Sequence, residues 1–126
     1  MSYRHEMRVR YSEVDMQRHV FNAHYMTYID DACDAWFRDA IGSSYGKEFD
    51  VVLKRLEITW DGAATWGDLL TIDVEVQRWG NTSFDIGFDG VVDDVPVFRA
   101  AVTYVSVAFG TTEPVRVPDF VRTALA

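Results

Sequence analysis

Between Ala23 and Ile41 the apolar positions recur at intervals of three and four. Tyr25, Ile29, Ala32, Trp36 and Ala40 form one stripe, with Met26, Cys33 and Phe37 beside it. That period predicts an amphipathic helix whose apolar face covers more than half the circumference, so the helix is buried on several sides. Asn22 stands where a side-chain cap accepts from the free amides of the first turn. Gly42 supplies the left-handed residue that commonly ends a helix. Past Gly46 the period changes to two. Val51 to Trp60 reads as a strand, with Leu56, Ile58 and Trp60 on one face and Arg55, Glu57 and Thr59 on the other. Leu70, Ile72, Val74 and Val76 alternate with Thr71, Asp73, Glu75 and Gln77. After a turn at Gly80-Asn81, Phe84, Ile86 and Phe88 alternate with Ser83, Asp85 and Gly87. A further turn at Asp93-Asp94 precedes a long run from Val95 to Phe109. A short strand from Arg4 to Arg10 opens the pattern, and Pro114 to Ala126 forms a tail with a short helix after Pro118.

The order is strand, long helix, then four strands joined by short connections, which favour antiparallel neighbours. One helix against a curved antiparallel meander of about five strands is an α+β domain. The 126 residues suit one such domain spanning 1–126. Folding of a chain this size buries roughly two-thirds of its extended surface, enough for one core. The open edges of the sheet need cover, and pairing with a second copy would supply it.

Charge and cysteine content narrow the function. Twelve Lys and Arg against twenty Asp and Glu leave a net charge of −8, which argues against nucleic acid as a partner. The single Cys33 excludes an intrachain disulfide framework and a Cys-built zinc site. No apolar stretch is long enough for a membrane span, and no charged-then-apolar leader opens the sequence, so a cytoplasmic protein is expected.

Gly42-Ser43-Ser44-Tyr45-Gly46 fits the nucleophile-elbow pattern G-x-S-x-G, which needs a strand before it, a helix after it and a later His. Here the order of elements is reversed and no His follows His24, so the match is accidental. His19 and His24 straddle the helix start and share no face. Asp30, Asp31 and Asp34 lack a companion metal-binding pattern, so no metal is expected. Cys33, in the helical stripe, reads as a small buried hydrophobe.

The informative segment runs from Asp15 to Tyr25: a carboxylate, a short loop, then the start of the longest helix. Helix starts expose unpaired amides and carry partial positive charge. Such amides can hold a carbonyl oxygen as it becomes an oxyanion, while the carboxylate attacks or activates water. The alternative is that Asp15 only caps a turn with His19 packed under it. Trp36, Phe21, Trp60 and Trp66 are candidates for lining an aromatic or acyl pocket, although aromatics also build cores.

Asp15, His19, Val20, Asn22 and Tyr25 spell D-x-x-x-H-V-x-N-x-x-Y, which resembles the signature of hotdog-fold thioesterases, most closely the 4-hydroxybenzoyl-CoA thioesterase family. The resemblance extends through Trp66-Gly67-Asp68 to Pro118-Asp119-Phe120-Val121-Arg122. It implies a hotdog fold, with the sheet wrapped around the helix. It also implies a homodimer with active sites at its interface, and dimers that pair into a homotetramer. Asp15 would serve as nucleophile or general base toward an acyl-CoA substrate, and Asn22 would donate a backbone amide to the oxyanion. His19, a candidate catalytic group, matches a residue present in some branches and replaced by an apolar one in others. Tyr25 matches a family aromatic of the first helical turn, with a structural role or a substrate contact, and Phe21 is a further candidate for meeting substrate. Coenzyme A would be part of the substrate, with no separate cofactor. Gln17-Arg18 departs from a common form in which a glycine stands in this loop, which bears on substrate preference. Two other readings share the fold: an acyl-carrier-protein thioesterase, which the acidic surface disfavours unless Lys47, Lys54, Arg55 or Arg78 cluster, and a non-catalytic acyl-CoA-binding protein, which would not need Asp15. Hotdog hydratases usually carry an Asn-Pro-containing stretch that is absent at Met16-Gln17-Arg18.

Overall fold

A computed structural model describes residues 2–126. Strand β1 (Ser2–Arg8) is followed by helix α1 (His24–Ala40), then β2 (Asp50–Trp60), β3 (Leu69–Trp79), β4 (Ser83–Val92), β5 (Val95–Val107) and a short α2 (Asp119–Ala124). All strands pair antiparallel in one sheet of order β1-β3-β4-β5-β2, with α1 packed on it. This is the hotdog fold.

The meander is shorter than the connections implied. Only β3, β4 and β5 follow one another, while β1 and β2 lie at opposite edges. Strand β2 is consecutive with β3 yet pairs with β5, so residues 61–68 must travel between the two sides of the sheet. They are tied down on the way: the amides of Asp61 and Gly62 donate to the Val97 carbonyl, and the Ala64 carbonyl accepts from Val20. Strand β1 ends at Arg8 rather than Arg10, because the Arg10 amide donates to the Glu13 side chain and opens a short 3-10 turn, Tyr11–Glu13. Strand β5 stops at Val107, where the Ala108 amide turns to the Glu113 carbonyl and leaves Phe109 exposed.

The buried face of α1 comprises Tyr25, Tyr28, Ile29, Ala32, Cys33, Trp36 and Phe37. It includes Tyr28, on the flank opposite Cys33. Met26, expected beside the stripe, is half exposed. Trp36 stacks on Tyr3 with ring centroids 6.5 Å apart, and Phe37 meets Phe49, Phe84 and Tyr104. Burying each such side chain contributes roughly 1.5–3 kcal/mol. Gly90 faces Phe98 across the β4–β5 ladder, and the Phe98 ring fills the space that a Cβ would need. That close approach lets Phe98 meet Tyr25 edge-on at 5.4 Å, beneath the first turn of α1.

Candidate active site

The loop before α1 is built from short-range contacts. Glu13 is buried and accepts from both the amide and the guanidinium of Arg10, each at 2.8 Å. Burial works against its charge, but the two Arg10 donors outweigh it and hold the carboxyl below its ordinary range. The Glu13 carbonyl accepts from Phe21, Val14 and Val20 form an antiparallel bridge, and the Asp15 amide donates to the His19 carbonyl at 2.9 Å. Residues 15–18 therefore form a reverse turn, closed by the Arg18 amide on the Asp15 carbonyl. Arg18 is left-handed, with φ 64°, which costs a side-chain-bearing residue roughly 1 kcal/mol more than glycine. The Thr65 hydroxyl donates to the Arg18 carbonyl and pins the turn to the crossing segment.

This frame leaves half of the Asp15 carboxylate uncommitted. Oδ1 accepts from the Gln17 amide at 2.9 Å, and Oδ2 has no hydrogen-bond partner among the described residues. The side chain is thus oriented by one oxygen and presents the other.

The helix start differs from the expected cap. The cap position is Ala23, already helical at φ −64° and ψ −26°, and the Asn22 side chain makes no capping bond. The chain enters α1 through tight bonds spanning three residues: His24 to the Phe21 carbonyl, Tyr25 to that of Asn22 and Met26 to that of Ala23. These satisfy the first helical amides. The amides of Asn22 and Ala23 keep no partner among the described residues.

Two clefts meet at Asp15. The first, of about 390 Å³, is lined by Asp15, Gln17, His19, Val20, Phe21, Asn22, Tyr25, Trp60, Gly62 and Ala63. The second, of about 340 Å³, is lined by Tyr11, Val14, Asp15, Arg18, Thr65 and Trp66. Five residues singled out in the sequence (Asp15, His19, Phe21, Asn22 and Tyr25) thus share the first cleft. His19 is exposed, and Phe21 lies at the rim with its ring edge-on to His24 at 6.0 Å. Tyr25 is buried beneath, its hydroxyl accepting from the Ala64 amide at 3.2 Å. Burial raises its phenol pKa, against the pull of that bond. Its contact with Ala64 makes it a brace for the crossing segment as well as a wall of the cleft.

Sequence reasoning missed Gly62 and Ala63, which reach the cleft only because the crossing segment passes over the helix start. Their one local signal is the break in period-two alternation after Trp60. Of the four aromatic candidates, Trp60 and Phe21 line the first cleft, Trp66 lines the second, and Trp36 is core. Cys33 is buried, which pushes its thiol up to about 12 and removes it as a nucleophile. Gly42–Ser44 forms a 3-10 turn between a helix and a strand, the reverse of a nucleophile elbow. Among the described residues no three His, Cys, Asp or Glu side chains converge on a metal-sized site, and no helix is long and apolar enough to cross a membrane.

A sequence profile of the thioesterase-like superfamily matches residues 9–125. No curated protein sequence matches at a significant level. Among solved structures, a thioesterase-superfamily protein from Jannaschia sp. CCS1 is 23% identical and superposes with a TM-score of 0.92, over 98% of this chain and 90% of that one. A 1,4-dihydroxy-2-naphthoyl-CoA thioesterase from Synechocystis is 16% identical, with a TM-score of 0.87 over 99% of this chain and 96% of that one. Both likenesses are in the fold.

Proposed function

Because the chain belongs to the thioesterase-like superfamily, we propose that it hydrolyses an acyl-CoA thioester to the free acid and CoA, as the 4-hydroxybenzoyl-CoA thioesterase family does. The observation that carries this reading is Asp15: one oxygen anchored, the other unengaged, in a cleft shared with Asn22 and Tyr25 at the start of α1. The thioester carbonyl lies between them. Asp15 Oδ2 attacks the carbonyl carbon, or takes a proton from the water that does. The carbonyl oxygen, as it gains charge, accepts from the free amides of Asn22 and Ala23. Collapse expels the CoA thiolate. In the nucleophilic route the resulting acyl–aspartyl anhydride is then cleaved by water. An oxyanion donor of this kind typically contributes about 3 kcal/mol to the transition state. A thiolate leaves readily, so a carboxylate held in place suffices. His19, exposed in the same cleft, supplies a polar group near the departing sulfur, while Phe21 and Tyr25 contact the substrate.

CoA is favoured over an acyl-carrier protein by how the basic residues are engaged. Of the four basic residues that could cluster for an acidic carrier, Arg55 pairs with Glu57 at 2.6 Å and Arg78 with Asp85 at 2.8 Å, which leaves Lys47 and Lys54 without an ion pair among the described residues. The test is thiol release from short-chain, long-chain and aromatic acyl-CoAs by the purified protein. Turnover of at least one class supports the reading. Tight binding without release of any thiol would leave an acyl-CoA-binding protein instead.

A further inference from the structure

The second cleft is unaccounted for by the chemistry at the helix start. It shares Asp15 with the first, so a carbonyl seated at Asp15 has one arm of the thioester toward each cleft. We infer that the cleft walled by Tyr11, Arg18 and Trp66 receives the acyl arm and selects a planar acyl group carrying negative charge at its far end. This inference rests on the assignment of Asp15 to the thioester carbonyl.

Three observations carry it. First, Arg18 is an uncommitted cation beside the site. The neighbouring arginines are engaged: Arg8 donates to the Gly67 carbonyl at 2.7 Å, and Arg10 pairs with Glu13 at 2.8 Å. The Arg18 guanidinium has no acceptor among the described residues, and Arg18 is part of the cleft lining. Second, Arg18 occupies a left-handed position that glycine would fill without strain. Strain of this kind, next to a reacting group, points to work done by the side chain. Third, Tyr11 and Trp66 are strongly exposed yet ordered against each other, edge to face with centroids 6.0 Å apart. Two open ring surfaces at that angle suit a flat apolar body.

Reach decides which arm this cleft takes. Asp15 and Arg18 belong to one reverse turn and line the same small cleft. In CoA, about fourteen bonds separate the thioester carbonyl from the nearest phosphate, or ~17 Å at the advance per bond of an extended chain. With the carbonyl at Asp15, those phosphates lie far beyond Arg18. A charged group at the far side of an aromatic ring attached to the carbonyl falls within its reach. The anion that Arg18 meets therefore belongs to the acyl group.

The experiment compares thiol release from 4-carboxybenzoyl-CoA and benzoyl-CoA. Both carry the same CoA, so the ratio of their kcat/KM values reports on the acyl end alone. The wild-type ratio is expected to favour the carboxylated substrate, and Arg18→Gly to lower that ratio about tenfold or more, the scale of a lost charge-assisted hydrogen bond. Arg18→Lys keeps part of the preference. Because glycine suits the backbone there, Arg18→Gly unfolds at the same temperature or higher, which separates lost selectivity from lost folding. A wild-type ratio of one or less would overturn the inference, as would a ratio unchanged by Arg18→Gly. If Arg18 held the CoA phosphates, both substrates would weaken together and the ratio would stay fixed, which would overturn it equally. Failure of the parent reading looks different: Asp15→Asn would then hydrolyse both thioesters like wild type, whatever Arg18→Gly does to the ratio. A wild-type protein inert toward both substrates overturns the inference, whereas the parent reading falls only if the short-chain and long-chain acyl-CoAs are inert as well.

Discussion

A carboxylate oriented through one oxygen depends on the turn that holds it, and here that turn rests on Glu13. Its side chain satisfies the Arg10 amide and guanidinium while its carbonyl takes the Phe21 amide, so Glu13 links the ends of the loop around Asp15. Glu13→Gln keeps the shape but loses the charge, and is expected to cost about 1–2 kcal/mol at neutral pH, discounted because Arg10 is solvent-exposed. The pH dependence follows from the depressed carboxyl. A group whose folded pKa lies below its unfolded value stabilises the protein above the unfolded value, about 4.3 for Glu, and loses that contribution as the pH falls through the folded value. Urea unfolding at pH 7 and again near pH 3 checks this: the gap between wild type and Glu13→Gln should narrow at the lower pH. A gap independent of pH would contradict it. At this scale the position of Asp15 in the loop before α1 was legible, because a carboxylate just ahead of a helix is a local pattern. The capping role read for Asn22 was not: the tight entry bonds from His24, Tyr25 and Met26 move the cap to Ala23, and they depend on where the Phe21 carbonyl is held by the rest of the loop.

Helix α1 and the β4–β5 pair act together beneath the cleft. Phe98 presses over Gly90 and meets Tyr25, which in turn accepts from Ala64 in the crossing segment. Gly90→Ala puts a methyl group where the Phe98 ring lies. It is expected to cost about 1–3 kcal/mol through overpacking. For a domain of this size the Tm should fall by roughly 5 °C or more, measured by calorimetry. An unchanged Tm would show that the ring moves aside freely. Trp36→Ala removes a buried indole stacked on Tyr3 and is expected to cost about 3–5 kcal/mol, read from denaturant unfolding. The helix and the period-two strands were legible because their periodicity is written locally in side-chain polarity. The placement of β1 and β2 at opposite edges was not, since strand order is set by pairings between distant segments. That is also why Gly62 and Ala63 escaped notice: they reach the cleft by topology, not by any motif of their own.

For the molecule as a whole, the sheet ends at β2 on one side, and this strand is poorly covered. Val52, Leu53 and Trp60 on it are exposed, and Met26 of α1 is half exposed. An open strand edge flanked by apolar side chains favours association with another copy. We expect at least a dimer by light scattering at micromolar concentration, and a monomer would contradict this. Leu53→Lys should weaken the assembly, seen as a fall in mass on dilution, because it introduces charge at that edge. The net charge of −8 carries the same physics to partners: an acidic carrier protein meets like charge over a broad surface, whereas CoA, itself anionic through its phosphates, meets it only where it docks.

The measurement closest to the proposed chemistry is the rate of thiol release by Asp15→Asn, assayed beside wild type on the best acyl-CoA of the panel. Asparagine keeps the size of the side chain and an oxygen for the Gln17 amide, but it neither attacks the carbonyl nor accepts a proton. The expected result is a fall in kcat/KM of about a hundredfold or more with Tm unaltered. Hydrolysis within a few-fold of wild type would remove Asp15, and with it the proposed mechanism.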